Sequence, residues 1–189
     1  MERIKNLKSD LLCNNWGTLS KITYDYKKND ETWEHQTREV YNRGDGVTIL
    51  LYHAKKQTVV LTRQFRIPTF LNGNEDGHLI EAPAGKLDQP DPAACIIKEV
   101  LEETGFAIRD VKKIFEAYMS PGSVTELIHF YIAEYRDEMK IGPGGGAANE
   151  QENIEVLELP LAEALQMVRD GQIKDAKTIM LLQYAQNMR

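Results

Sequence analysis

Three carboxylates in one short run give the first chemical signal. Glu99, Glu102 and Glu103, in Lys98-Glu99-Val100-Leu101-Glu102-Glu103-Thr104-Gly105-Phe106, stand at i, i+3 and i+4, a spacing that puts all three on one helix face within a turn. Like charges so placed repel by a few tenths of a kcal/mol on an exposed helix, and by more where they are partly buried. A hard divalent cation relieves that repulsion, and Mg²⁺ takes oxygen ligands. The other reading is a solvated helix face on which Lys98 pairs with Glu102, and the helix alone leaves both open.

The elements that must position these acids follow from punctuation and periodicity. Asp91 suits an N-cap, Pro92 the first helical position and Gly105 the position just past the end. Ile96, Ile97, Val100 and Leu101 form the adjoining apolar stripe that anchors the helix. In front of it, Glu81-Ala82-Pro83-Ala84-Gly85 is expected to run from a strand into a loop. Residues 47–52 and 59–61 read as a continuously apolar hairpin, hence part of a core sheet. Residues 20–26 and 32–41 are wetter and form an antiparallel meander that ends at Gly44-Asp45-Gly46, which we read as an accessory layer. Further strands are expected at 111–117, 127–134 and 154–159, and helices at 161–168 and 176–188. Residues 142–149, Gly-Pro-Gly-Gly-Gly-Ala-Ala-Asn, are too rich in glycine for regular structure and read as a mobile loop. Mixed element order without a repeat points to an α+β fold or a layered α/β/α sandwich.

Composition narrows the class. The chain has 189 residues, 42% hydrophobic and 28% charged, enough for one sizeable core. A formal charge of −6 gives no support to nucleic acid or an anionic membrane surface as a partner, so an anionic ligand needs local cations. No apolar run approaches the roughly 20 residues of a membrane span, and the residues after Met1 lack a signal-peptide core, so a cytoplasmic protein is expected. Cys13 and Cys95 stand far apart with no metal or redox spacing.

Residues 85–106 resemble the Nudix box, G-x5-E-x7-R-E-U-x-E-E-x-G-U, where U is aliphatic or aromatic. Lys98 replaces the arginine and Asp91 stands at the first glutamate. Twelve residues lie between Gly85 and Lys98 where the pattern has thirteen. The contraction falls before Lys98, so the helical acids keep their spacing. The resemblance extends to Arg63-Gln64-Phe65-Arg66, to residues 119–126, to Glu150-Gln151-Glu152 after the glycine-rich stretch, to Arg38-Glu39-Val40 and to Asp175-Ala176-Lys177-Thr178. Over these segments the chain is similar to the branch of Nudix hydrolases that cleaves ADP-ribose and nucleotide sugars, and most similar to the bacterial GDP-mannose pyrophosphatases.

That resemblance implies a Nudix α/β/α sandwich over residues 45–189 and, over residues 1–44, an antiparallel sheet that serves a homodimer and lends residues to the neighbouring subunit. It implies Mg²⁺, with Mn²⁺ as a substitute, and hydrolysis of a nucleoside diphosphate sugar; GDP-mannose is the first expectation and ADP-ribose the rival. A non-catalytic nucleotide-binding module fits less well, because such proteins usually lose box acids. Under the resemblance Glu99, Glu103, Glu152 and the Ala84 carbonyl hold metal, with Gly85 letting the loop turn, while Glu102 and Glu150 join Glu152 as catalytic candidates. Arg66 is expected on phosphate; Trp16, Arg38, Glu39, Gly85, Glu126, Gln151 and Lys177 complete the candidate substrate contacts. For Trp16 the alternative is core packing. For Glu81, a candidate for orienting water, it is a solvated strand end, and for Arg38, Glu126 and Lys177 it is plain solvation.

Overall fold

The computed structural model describes residues 3–147 and 152–188, so Glu150 and Gln151 lie outside the described residues. The chain divides into two compact units, one running as far as Asp45 and taking in Tyr118–Leu127, the other formed by Gly46–Ala117 and the residues from Ile128 onward.

In the first unit, β1 (Ile4–Asn14), β2 (Thr18–Lys27) and β3 (Trp33–Asn42) make an antiparallel sheet in that order. The Tyr118–Leu127 segment joins β3 through its backbone: Tyr41 N–H donates to the Ser123 carbonyl at 2.8 Å and Thr125 N–H to the Tyr41 carbonyl at 3.1 Å. Strand β1 is exposed along its whole length, and Leu7 and Leu11 are 64% and 60% exposed.

The second unit is a mixed sheet between helices. Strands β4 (Gly46–His53), β5 (Thr58–Phe65), β8 (Lys112–Tyr118), β9 (Leu127–Glu134) and β10 (Glu155–Pro160) lie in the order β10-β5-β4-β9-β8, with β6 (His78–Glu81) on β5 and β7 (Ala84–Lys86) on β4. Strands β4 and β9 are parallel, whereas β4 pairs antiparallel with β5 and β7. Ile49, Leu51 and Val60 pack in one cluster with Cys95, Ile96 and Val100 of α2 (Pro92–Thr104). Leu50 and Leu61, equally buried, point to the opposite face by strand alternation, where α3 (Leu161–Arg169) and α4 (Ala176–Gln186) lie against β5 and β4. A strand covered on both faces must be apolar throughout, which is why residues 47–51 show no polar alternation beyond Thr48. A short helix, α1 (Ile67–Leu71), was not foreseen.

Helix α2 begins and ends as its residues dictate. Asp91 accepts from Ala93 N–H, Pro92 occupies the first turn, and Gly105 closes the helix in the left-handed region at φ 75°. A Cβ at Gly105 would lie 2.1 Å from the Gly142 carbonyl oxygen, so an alanine there faces both an unfavourable φ and a backbone collision. Gly105→Ala is therefore expected to destabilise the fold by at least about 1–2 kcal/mol, read as a lower urea midpoint; an unchanged midpoint would contradict this account of the helix end.

Candidate active site

The carboxylates of α2 meet β7 at its first residues. Glu103 is 1% exposed and its Oε2 accepts from the Ala84 N–H at 3.2 Å. Beside it, a Cβ at Gly85 would lie 2.2 Å from Glu99 Cδ, so only a glycine lets the strand come this close to the helix. This corrects the expectation that Ala84 and Gly85 lie in a loop: they belong to strand β7, Gly85 has no positive φ, and the glycine serves close approach rather than a turn. Glu102 pairs with Lys98 at 3.1 Å on the wetter side of the helix.

Burial pushes the Glu103 carboxyl well above the usual carboxylate range, and the negative charges of Glu152 and Glu99 push it the same way, against the Ala84 N–H and the Arg66 charge. Glu99 and Glu152 are thus each close enough for Glu103 to feel their charge. The three do not form a finished cage, since among the described residues no three His, Cys, Asp or Glu side chains converge as a metal-binding group. Their chemistry fits a hard divalent cation, which takes oxygen donors and offsets the mutual repulsion of carboxylates gathered in one place.

Next to these acids lies a balanced ion network. Glu81, at the end of β6 and 2% exposed, accepts from Arg66 Nε at 2.7 Å and Nη2 at 3.1 Å, and its Oε2 accepts from Lys177 Nζ. Lys177 Nζ also donates to Asp175 at 2.9 Å. Asp175 caps α4, accepting from Thr178 N–H and hydroxyl at 3.0 and 2.6 Å, while Thr178 Oγ1 accepts from Ala82 N–H at 2.6 Å. The solvated alternatives for Glu81 and Lys177 are therefore wrong: their side chains are 3% and 12% exposed. Burial raises the Glu81 pKa, but Lys177 and Arg66 outweigh it and hold the carboxyl below the usual range. Sequence reading singled out neither Asp175 nor Thr178 individually; an Asp three residues before a Thr at a helix start is the capping signal that would have found them.

The glycine-rich stretch was expected to be mobile. As far as Ala147 it is instead bonded to α2: Gly145 N–H donates to the Glu103 carbonyl at 2.9 Å and Gly146 N–H to the Glu102 carbonyl at 3.1 Å. Ala147 N–H donates to Glu152 Oε2 at 3.1 Å.

The remaining candidates lie in the first unit. Trp16 is 94% exposed, which removes the core-packing alternative. Arg38 and Glu39 are exposed on β3; Arg38 donates to the Thr37 carbonyl at 2.8 Å. Glu126, at 17% side-chain exposure, pairs with Arg43 at 3.4 Å rather than standing in the open.

Residues 42–182 match the NUDIX domain, and residues 3–41 match the GDP-mannose pyrophosphatase NudK N-terminal domain. The chain belongs to the Nudix family. Proteins named GDP-mannose pyrophosphatase from Escherichia coli O139:H28 (strain E24377A / ETEC) and Shigella sonnei (strain Ss046) are each 55% identical to it over 185 residues, covering 98% of this chain and 96% of theirs. The Nudix assignment accords with the mixed sheet between helices and with the box acids gathered where β7 meets α2.

The Glu81 network makes a prediction about acid stability. Glu81→Gln keeps the shape but leaves Arg66 without its anion and Lys177 with Asp175 alone, at an expected cost of about 3 kcal/mol at pH 7. Because the folded-state pKa of Glu81 is depressed, its contribution is complete above the unfolded value of about 4.3 and is lost as pH falls through the lower folded value. Urea unfolding at pH 7 and pH 3.5 should show the gap between wild type and variant narrowing in acid; a gap independent of pH would refute the assignment.

Proposed function

We propose that the protein hydrolyses the pyrophosphate bond of GDP-mannose, releasing GMP and mannose 1-phosphate, with Mg²⁺ as its metal and Mn²⁺ as a substitute. The observation that carries this reading is the full set of box acids, Glu99, Glu102 and Glu103, in a chain more than half identical, end to end, to relatives bearing that activity in their names. A divalent cation held by Glu99, Glu103, Glu152 and the Ala84 carbonyl would neutralise the phosphate oxygens and polarise the attacking water.

The chain's own residues do the rest. Glu103 supplies a buried carboxylate and Glu152 a half-buried one, and Glu102, Glu150 and Glu152 are the candidates for accepting the water's proton. Arg66 already holds Glu81 through Nε and Nη2, so it meets phosphate from a fixed position, and Glu81 sets that position. Lys177, turned toward Glu81 and Asp175, adds positive potential. Gly85, whose missing side chain lets β7 lie against Glu99, is proposed to meet substrate through its backbone. Trp16, Arg38, Glu39, Glu126 and Gln151 are proposed for base and sugar contacts.

Residues 1–44 are proposed as the dimerisation region and 45–189 as the hydrolase domain. The support is β1, whose exposed Ile4, Leu7, Leu11 and Leu12 form a surface that a second copy of the chain would cover. Among the described residues no helix is long and apolar enough to cross a membrane, in keeping with a cytoplasmic enzyme.

Two measurements test the reading. Glu103→Gln should lower turnover by at least about a thousandfold with little change in melting temperature, and excess chelator should silence the wild type; an active variant, or activity in chelator, would overturn the metal role. In a panel of nucleotide sugars with Mg²⁺, kcat/KM for GDP-mannose should exceed that for ADP-ribose by about tenfold to a hundredfold. Equal or better turnover of ADP-ribose would refute the substrate assignment while leaving the hydrolytic chemistry in place.

A further inference from the structure

The last four carbonyls of a helix have no partner within it, and in α2 they belong to Leu101, Glu102, Glu103 and Thr104, two of them box acids. Each is taken. Gly105 N–H donates to Leu101 O at 3.0 Å, Gly146 N–H to Glu102 O at 3.1 Å and Gly145 N–H to Glu103 O at 2.9 Å. Thr104 O accepts from Lys140 Nζ at 2.7 Å. Lys140 is the only side chain among these donors and the only one that carries charge. Its ammonium also lies 4.9 Å from the centre of the Phe106 ring, whose own edge contact with Tyr135 at 4.9 Å fixes it in the core.

Lys140 begins the same short segment that supplies the Gly145 and Gly146 donors and ends at Ala147, whose N–H holds Glu152 Oε2. One stretch of eight residues, 140–147, thus holds the Thr104 carbonyl at one end, through Lys140, and at the other end the backbone of Glu102 and Glu103 and the side chain of Glu152, through Gly146, Gly145 and Ala147. A cation at a helix C-terminus is favourable in its own right. Here it pins the segment at a point where the remaining contacts are neutral backbone bonds.

We infer that Lys140 is a positioning residue: through the Thr104 carbonyl it sets the end of α2 against the 140–147 segment, and so fixes Glu103 and Glu152 relative to each other for metal binding. Lys140 touches neither substrate nor metal in this account. The inference rests on the proposed metal role of Glu103 and Glu152.

The experiment compares wild type, Lys140→Met and Lys140→Arg. Methionine keeps an apolar stem over Phe106 and removes the donor and the charge; arginine retains both. Mn²⁺ affinity of the protein without substrate is measured by electron paramagnetic resonance, the Mg²⁺ activation constant and kcat by kinetics, and melting temperature alongside. Lys140→Met should weaken Mn²⁺ binding and raise the Mg²⁺ activation constant by about tenfold, with kcat recovering to within about twofold of wild type at saturating metal. Lys140→Arg should restore the affinity. A purely structural role would instead lower the melting temperature or kcat and leave the metal constants unchanged, and that result overturns the inference, as does a Lys140→Met protein with wild-type Mn²⁺ affinity. If Lys140→Met does not fold, Lys140→Leu, which likewise removes the donor and the charge, is measured in its place against the same criterion. Failure of the wild type itself to bind Mn²⁺ would overturn the functional reading and this inference with it, and is distinguished because it appears before any substitution is made.

Discussion

Glu103 has to be kept out of water and near Glu99 and Glu152 at the same time, and the rest of the second unit is arranged around that demand. A buried carboxylate among like charges is driven toward its protonated form, and here burial is the larger cause. The fold answers with a directed donor, the Ala84 N–H, and with the Arg66 charge behind it. Ala84 reaches Glu103 because β7 is hydrogen-bonded into the sheet on β4, and β7 sits close to α2 because Gly85 has no side chain. A continuous apolar core beneath, from Ile49 and Leu51 to Ile96 and Val100, holds strand and helix in that register.

The neighbouring cations are less available than a count of charges suggests. Arg66 and Lys177 carry two positive charges, and Glu81 and Asp175 carry two negative charges within hydrogen-bonding distance of them. The network is close to neutral by itself, so an incoming diphosphate would not meet two uncommitted cations in a protein whose net charge is already −6. On the proposed reading, charge for the phosphates comes largely from metal, and the ion network contributes rigidity: it ties the end of β6 to the start of α4 and fixes the direction of the Arg66 guanidinium. That division of labour is consistent with the box acids lying on one side of β7 and the ion network on the other end of the Glu81–Ala84 segment.

Much of this was legible in the sequence where a residue's type is decided by local physics. The caps of α2 at Asp91 and Gly105, the Lys98–Glu102 pair, the bounds of β9 and the buried hairpin of β4 and β5 all follow from short-range rules. What escaped depended on contacts distant in sequence or on broken periodicity. Strand β1 carries Ile4, Leu7 and Leu11 at a spacing closer to a helical period than to alternation, because irregular register between Lys5 and Lys8 and between Leu11 and Cys13 rephases the strand. The attachment of Tyr118–Leu127 to β3 is made by backbone atoms of Tyr41, Ser123 and Thr125, which no side-chain pattern announces. Lys177 looked like a surface cation at a helix start, and only the tertiary fold brings Glu81 to it across the sheet end.

The glycine-rich stretch shows why composition alone misleads about motion. Glycine is used for two physical reasons, conformational freedom and close approach, and they predict opposite behaviour. At Gly144 a Cβ would lie 2.5 Å from the Glu103 carbonyl oxygen, and at Gly146 a Cβ would lie 2.4 Å from Glu152 Oε2. Both residues also have φ in the left-handed region, at 73° and 89°. The segment can therefore press its backbone against the end of α2 and present successive N–H groups to Glu103 O and Glu102 O only because side chains are missing. The same glycines that would give a free loop its mobility here remove the steric obstacle to a tight dock, and the deciding feature is not glycine content but the presence of unsatisfied helix carbonyls opposite them. A sequence in which a glycine run follows a strand and a lysine, in a fold whose metal-type helix ends in a left-handed glycine, offers both halves of that pairing.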